Sequence, residues 1–505
     1  MMPSLLGVDN GLTVTKSVVF DIDGRQLSVA RRLIPQHLPK PHWVERDMSG
    51  LWHATAESIR EAIATSGRPS SDIIGVAVTA HGDGLYLLDK NNDPVRPGIL
   101  SLDSRADAVI RHWSAEGVCE RALAMTGQAP HVSAPSALLA WLKENEPDNF
   151  RNIAHVVSCK DWLRYCLTGT VGTDRTEASS SFTDVQTQHY TDEALRLFGL
   201  DSLTPSLPQV TDSTEVVGQV TGTAAESTGL MPGTPVVAGL HDVVASALGV
   251  GGHRAGSVDI VAGTYSINEI VSKAPKVDSR WFCRNGLYKN EWHNMSISPA
   301  SAANYDWFLN TLCEAEKKAA EASRTNIHKA LANEIENALG EPSALFFHPY
   351  LYGSPHGSVA SAGFFGLRGW HTRGDMLAAV LSGIAFNHRY HIDALKDGFS
   401  VSEARLTGGI SRRPVYAQLF ADVLNMPVNV VGTEEAAAFG AALCAGAGVG
   451  VYDNPHADPR DLAELNCTYF PDAGKQKKWE RHYDVFNRLN ETFREIWPEI
   501  EGLSE

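Results

Sequence analysis

A surplus of positive charge is missing from this 505-residue chain. Its 43 Lys and Arg residues are outnumbered by 59 Asp and Glu, giving a formal net charge of -16. No basic footprint for nucleic-acid phosphates follows from that balance, so nucleic acid is not an expected partner. A nucleotide is still admissible, because backbone amides, helix dipoles and a metal ion hold phosphate without a basic surface. Long apolar runs are missing too, and the start, Met1-Met2-Pro3-Ser4-Leu5-Leu6-Gly7, lacks the basic end of a signal peptide. No membrane partner is expected, and the cytoplasm is the expected compartment. Cysteine is scarce and scattered: Cys119, Cys159, Cys166, Cys283, Cys313, Cys444 and Cys467 form an odd set without a C-x-x-C pair. Reduced thiols are expected, with neither a disulfide framework nor a zinc site. Three familiar motifs are also missing. There is no G-x-x-x-x-G-K-[ST] loop, no G-x-S-x-G nucleophile turn and no G-x-G-x-x-G, since Gly446, Gly448 and Gly450 are misspaced for it.

What is there belongs to a soluble globular protein, with 43% hydrophobic and 20% charged residues. The length exceeds one ordinary core and calls for two or more domains. Leu5 to Val8, Val14 to Phe20 and Gln26 to Leu33 are β-prone runs separated by Asp9-Asn10-Gly11 and Asp21-Ile22-Asp23-Gly24. Such turns predict an antiparallel three-strand meander. A helix capped by Asp47 follows, with Met48, Leu51, Trp52, Ile59 and Ile63 at helical spacing, and then a strand at Ile73 to Val78. Strands, helix and strand in this order predict a mixed α/β sheet. Further on, Lys160 to Gly169 reads as a helix stopped by glycine, Asp375 to Leu395 as a helix with His388 and His391 on its surface, and residues 314 to 340 as a solvated, charged face. Pro414 to Leu424, the small-residue run after Glu435 and the tail around Trp479 to Ile496 are further helices.

Two acids stand at strand ends, Asp9 and Asp242. Pro235-Val236-Val237-Ala238-Gly239 is a short buried strand, and the small residues after Asp242 open a buried helix, so Asp242 sits in a strand-to-helix turn. One reading makes it a helix cap; the other has it orient a substrate hydroxyl. His81-Gly82-Asp83-Gly84 and Asp103-Ser104-Arg105 supply the mixed donors and acceptors a polyhydroxylated molecule needs, or equally a surface turn and an ion pair. Gly263-Thr264 lies between two β-prone runs and echoes the first turn, while Gly408-Gly409 lies between a strand and a helix, where backbone can lie against a phosphate or flat ring. Phosphoryl transfer needs these parts: donors around phosphates, acids that anchor magnesium, and a group that orients the attacking hydroxyl.

The motifs Leu6 to Lys16, Trp43-Val44-Glu45-Arg46-Asp47, Gly239-Leu240-His241-Asp242, Gly263-Thr264 and Leu406-Thr407-Gly408-Gly409 with Gln418 and Ala421-Asp422 resemble, in order and spacing, those of the FGGY carbohydrate kinases. The match runs from about residue 5 to 452, and xylulokinase-like members, L-xylulose kinase in particular, come nearest. The resemblance implies an α/β fold of two ribonuclease H-like (actin-like ATPase) domains with an interdomain cleft, an N-terminal domain over 1–245 carrying the sugar side and a C-terminal domain over 246–505 carrying the nucleotide side. It implies a sugar kinase that uses ATP and Mg2+ on a terminal hydroxyl, with a ketopentose such as L-xylulose or xylulose as the expected acceptor. A polyol such as erythritol or glycerol is the alternative substrate, and an actin-like nucleotide switch or a sugar-sensing pseudokinase the alternative of another class. By the same resemblance Asp242 is the catalytic base and touches the sugar, with His81, Asp83, Asp103 and Arg105 as sugar contacts. Asp9 and Asp242 hold hydrated magnesium. Gly11, Thr13 and Lys16 form the first phosphate turn, Gly263 and Thr264 the second, and Gly408, Gly409 and Gln418 hold the adenosine. Homodimer formation is compatible with it. Leu12, where members commonly carry Thr or Gly, and Gly353-Ser354-Pro355, where xylulokinases carry Gly-Glu-Arg, depart from the pattern.

Overall fold

The three β-prone runs at the start of the chain form the expected meander: Ser4–Asn10, Val14–Asp21 and Gln26–Leu33 pair antiparallel in sequence order. Gly24, at φ 81°, closes the second turn. The strand Ile73–Ala80 then lies parallel to the first strand, Pro235–Val237 parallel to that, and Val216–Gln219 antiparallel at the edge. The sheet is therefore mixed, as the order of elements requires.

A computed structural model of the chain describes residues 2–340, 343–357 and 359–503. Met1, Glu341, Pro342, Ser358, Ser504 and Glu505, which the expected domain ranges 1–245 and 246–505 also take in, lie outside the described residues. Two compact units emerge, neither contiguous in sequence. The first comprises the chain up to His253 with Val271–Asn294 and Thr433–Leu465; the second comprises Arg254–Ile270, Met295–Gly432 and the chain from Asn466 on.

In the first unit, helices sandwich the mixed sheet. On one face Asp47 accepts from the backbone N–H groups of Ser49 and Gly50 and starts the helix Met48–Thr65. Its buried stripe of Leu51, Ile59, Ala62 and Ile63 packs with Leu6, Val8, Val76 and Val78 of the sheet. On the other face the helix Ala436–Gly448, nearly free of large side chains apart from Phe439 and Leu443, packs with Leu5, Val18, Phe20 and Ala77 and against the helix Asp242–Gly249. Small residues permit that close approach, since a Cβ on Gly440 would lie 1.9 Å from the Ala245 carbonyl oxygen.

In the second unit Ser257–Ala262 and Ser266–Ser272 form a hairpin, Glu403–Thr407 and Val428–Val431 add in parallel, and Asn466–Tyr469 closes antiparallel. The helix Arg373–Gly398, opened by a Thr372–Asp375 capping box, departs from expectation. His388 and His391 are not on its surface. His388 is buried against Ser266, Asn268 and Ser301, and His391 against Ser296 and Ser298, all by hydrogen bonds of 2.8–3.2 Å. Spacing alone could not show that this helix is buried on most of its circumference. Residues 314 to 340 also differ in part from a solvated face: they form short helices that bury Ala320, Leu331, Ile335 and Leu339.

Candidate active site

Register brings the two strand-end acids to the same edge. Thr79 of the strand Ile73–Ala80 pairs with Asp9 on one side and Leu240 on the other; Ala80 pairs likewise with Asn10 and His241. Two strand spacings, about 10 Å, therefore separate Asp9 from the turn that carries Asp242. Gly239 makes the turn possible: it adopts φ 77°, and a Cβ there would lie 2.1 Å from the Val78 carbonyl oxygen. Asp242 is the first residue of the helix Asp242–Gly249, and the capping position belongs to His241, whose Nδ1 accepts from the Val243 N–H at 3.4 Å. The cap reading of Asp242 is thus corrected by one residue. Its carboxylate, about 30% exposed, approaches His241 Nδ1 at 3.4 Å and stands in the positive end of the helix dipole.

The turn is braced from below by residues whose role was not legible in the sequence. The His241 N–H donates to Thr176 Oγ1 at 2.9 Å, and the Thr176 and Ser213 hydroxyls both donate to Asp174 Oδ2 at 2.7 Å. Lys160, fully buried, reaches Asp161 Oδ1 at 2.6 Å, Asp174 Oδ1 at 3.1 Å and the Ala238 carbonyl at 3.1 Å. Burial first, then the nearby Asp161, Asp174 and Asp242, push the Glu177 carboxyl well above its ordinary range despite Lys160. The local signal was the capping pattern in Asp174-Arg175-Thr176-Glu177.

At the other strand end, Asp9 faces Lys16 Nζ at 3.6 Å, and Lys16 in turn faces Glu435 Oε2 at 3.1 Å. Two carboxylates thus share this lysine. Burial and Glu435 raise the Asp9 pKa against the pull of Lys16, whereas Lys16 is raised because Asp9 and Glu435 outweigh its own burial. The turn between them is held by its backbone: Gly11 N–H donates to Val14 O at 3.0 Å, Ile34 N–H to Thr13 O at 2.8 Å and Gln36 Nε2 to Leu12 O at 2.8 Å, while buried Arg46 bonds the same Leu12 carbonyl. Leu12 itself packs against the core.

The loop after Ala80 supplies His81 and Asp83 near the Asp242 turn. His81 is buried, kept neutral by that burial and by the Arg46 charge, with its pKa pushed down to about 3, and its Nε2 lies 3.3 Å from the Tyr86 hydroxyl. Gly82 carries the imidazole of His241 directly above it; a Cβ would lie 1.8 Å from His241 Nε2. Asp83, at φ 56°, accepts from Arg284 Nη2 at 2.9 Å. Asp103 and Arg105 are placed differently. Both side chains are 0% exposed, Arg105 donates to Asp103 and to Glu45, and its guanidinium lies 4.1 Å from the Trp43 ring. Asp103 also accepts from the Val44 N–H at 2.7 Å. In this structure the pair buttresses the 43–46 segment.

In the second unit, Gly263, Thr264 and Gly409 line one cavity of about 340 Å³ with Tyr305, Asp306, His328 and Arg413. Tyr305 and His328 stack with centroids 5.7 Å apart, a flat aromatic wall that the sequence pattern had left inside its charged stretch. Gly408 (φ 97°) packs its backbone against Ala262 beside this cavity. Gln418 is not among the lining residues; its amide donates to Asp422 Oδ1 at 2.7 Å and to the Phe470 carbonyl at 2.8 Å.

Comparison with known proteins identifies the family. The model of the FGGY family of carbohydrate kinases, N-terminal domain, matches residues 4–249, and the C-terminal domain model matches residues 258–449. The chain belongs to the FGGY family of carbohydrate kinases. An L-xylulose/3-keto-L-gulonate kinase of Escherichia coli (strain K12) is 34% identical over 96% of each chain. A probable L-xylulose kinase of Haemophilus influenzae is 31% identical over 97% of this chain and 99% of that one. Among solved structures, the xylulose kinase from Rhodospirillum rubrum matches with a TM-score of 0.84 at 28% identity, covering 98% of this chain and 99% of that chain. This FGGY protein is accordingly a sugar kinase with the two-domain α/β fold of actin-like ATPases. No helix among the described residues is long and apolar enough to cross a membrane.

Proposed function

We propose that this FGGY kinase transfers the γ-phosphoryl group of ATP to a terminal hydroxyl of a ketopentose such as L-xylulose or xylulose. The observation that carries the reading is the Asp242 turn: a partly exposed carboxylate on the first residue of a helix, at the same sheet edge as Asp9, in a turn whose backbone is held by Thr176. The similar ketopentose kinases support the choice of sugar class. In this reading Asp242 takes the proton of the sugar hydroxyl as it attacks, and His81 and Asp83 flank the acceptor. Asp103 and Arg105 act through the Trp43–Arg46 segment. Gly263, Thr264, Gly408 and Gly409 receive the nucleotide, with Tyr305 and His328 as a stacking wall for the base.

The donor set suits a hydrated magnesium ion: Asp9 faces Lys16 at 3.6 Å, and Glu435 is held by both Lys16 and Arg31, so Asp9 keeps carboxylate oxygen for a water of a hydrated ion. Asp9 and Asp242 would hold the ion, which supplies charge neutralisation on the β- and γ-phosphates. Lys16 holds Asp9 oriented, and the Gly11–Thr13 turn offers backbone to phosphate. The cytoplasm is the compartment where ATP and free sugars meet this chain.

Asp242→Asn provides the test. Turnover, measured as sugar phosphate and ADP formed together, should fall about 10²- to 10⁴-fold, the usual worth of a general base, while ATP binding measured by calorimetry stays within a few-fold. Near-normal turnover would reject the assigned role, and ATP hydrolysis independent of any sugar would favour the nucleotide-switch reading.

A further inference from the structure

Asp83 does not stand alone. Its partner comes from 201 positions further along the chain, within Val271–Asn294, the segment that returns to the first unit. There the strand Phe282–Asn285 carries Arg284, whose side chain is 3% exposed. The guanidinium is fully oriented: Nη2 donates to Asp83 Oδ1 at 2.9 Å, Nε donates to Gln128 Oε1 at 2.8 Å, and the carbon of the fork lies 5.1 Å from the Phe282 ring. Gln128 is itself pinned, its amide donating to the Ser179 carbonyl at 2.6 Å. The other oxygen of Asp83 lies 3.6 Å from His131 Nε2, too long for a hydrogen bond, and His131 is stacked on Phe282. Asp83 Oδ1 is therefore fixed by Arg284, while Oδ2, with His131 only at ion-pair distance, retains lone pairs for a further donor.

We propose that Arg284 is a positioning and specificity residue for the sugar: by fixing Asp83 Oδ1 it aims Oδ2 at a substrate hydroxyl, and by spending its charge on Asp83 it leaves the acceptor site suited to an uncharged ketose rather than a sugar acid. The inference rests on the kinase reading above and deepens it. A carboxylated sugar would meet Asp83 and Asp242 while the cation beside Asp83 is already committed, and like charges brought together in a desolvated site repel strongly. A ketose meets an oriented acceptor. The charged and titratable groups facing Asp83 are Arg284, His131 and His241. Burial alone would raise the Asp83 pKa, but Arg284 and His131 hold it far below the ordinary carboxylate range, so wild-type Asp83 stays ionised throughout the working pH range. Removing Arg284 takes away the strongest of these holds, so burial raises the Asp83 pKa.

The experiment measures kcat and KM for L-xylulose and for ATP between pH 5 and 8, in wild type, Arg284→Gln, Arg284→Lys and Asp83→Asn, and repeats the wild-type and Asp83→Asn series with 3-keto-L-gulonate. Expected for Arg284→Gln is a 10- to 100-fold rise in the sugar KM with the ATP KM within twofold. That rise should steepen towards the acid end of the range as Asp83 protonates, whereas wild type stays flat. Arg284→Lys restores part of the affinity and the flat profile, and this variant keeps the charge should the glutamine variant fold poorly. Wild type should use the sugar acid at least 30-fold less efficiently than the ketose, and Asp83→Asn, which removes one carboxylate and keeps the Arg284 charge, should narrow that gap. An active wild type that uses the acid as well as the ketose, or an Arg284→Gln enzyme with unchanged sugar KM and pH profile, overturns this inference alone. A wild type inactive on every ketose overturns the substrate reading together with it.

Discussion

At Asp242 a shift of one residue changes what the carboxylate does. A capping aspartate spends its oxygens on the first N–H groups of its helix; here the His241 ring takes the Val243 N–H, and Asp242 stands at the first helical position. His241 in turn needs the empty space over Gly82. Gly82→Ala should push the imidazole aside, since its Cβ would lie 1.8 Å from Nε2. A displacement of that size at a reacting group costs roughly 10²-fold in turnover, so kcat should drop by that order, while the thermal unfolding midpoint, read by calorimetry, moves by only a few degrees. Asp103 and Arg105 show the limit of residue-level reading. An Asp-x-Arg pair looks the same in sequence whether it faces a sugar or a tryptophan, and only burial separates the two cases.

The elements around the site were mostly legible, because their signals are local. Asp47 caps its helix, and Gly169 ends Cys159–Thr168 in the left-handed region at φ 70°. What was not legible is how elements lean on one another. The helix Cys159–Thr168 carries Lys160 to the strand before Asp242, tying Asp161, Asp174 and the Ala238 carbonyl together in a place with 0% exposure. Lys160→Met leaves Asp174 without Lys160 and Asp161 with Arg164 alone, 3.9 Å away, and the loss expected on breaking a buried pair is about 3–5 kcal/mol; urea titration at neutral pH measures it. Likewise the crossing of Asp242–Gly249 with Ala436–Gly448 depends on small residues on both helices. Gly440→Ala should cost about 1–3 kcal/mol by overpacking, with the sugar KM the first kinetic constant to move because the Asp242 helix shifts with it.

Across the whole molecule the buried histidines set a common pH response. Burial keeps His81, His241, His293, His348 and His391 neutral, each with its pKa pushed down to about 3 from 6.5, and holds His388 well below its ordinary value. Between those values the unfolded chain binds protons that the native chain refuses, so stability must fall as pH drops below 6.5 and recover above it. Each such histidine contributes roughly 1.4 kcal/mol per pH unit in that window. Asp9 and Glu177, raised, act in the opposite sense, but the histidines outnumber them. The urea midpoint at pH 5.5 should lie clearly below that at pH 7.5; equal midpoints would show that these histidines titrate normally. At this scale the sequence by itself determined the strand meander, the helix boundaries, the acids at the strand ends and the family, because hydrophobic period, caps and turn residues act within a few positions. Only the tertiary structure decided that Arg284 meets Asp83, that Asp103, Arg105, His388 and His391 are interior, and that Tyr305 stacks on His328. Those outcomes depend on which distant segments exclude water from each side chain, and desolvation is a property of the packed chain that no short stretch of it carries.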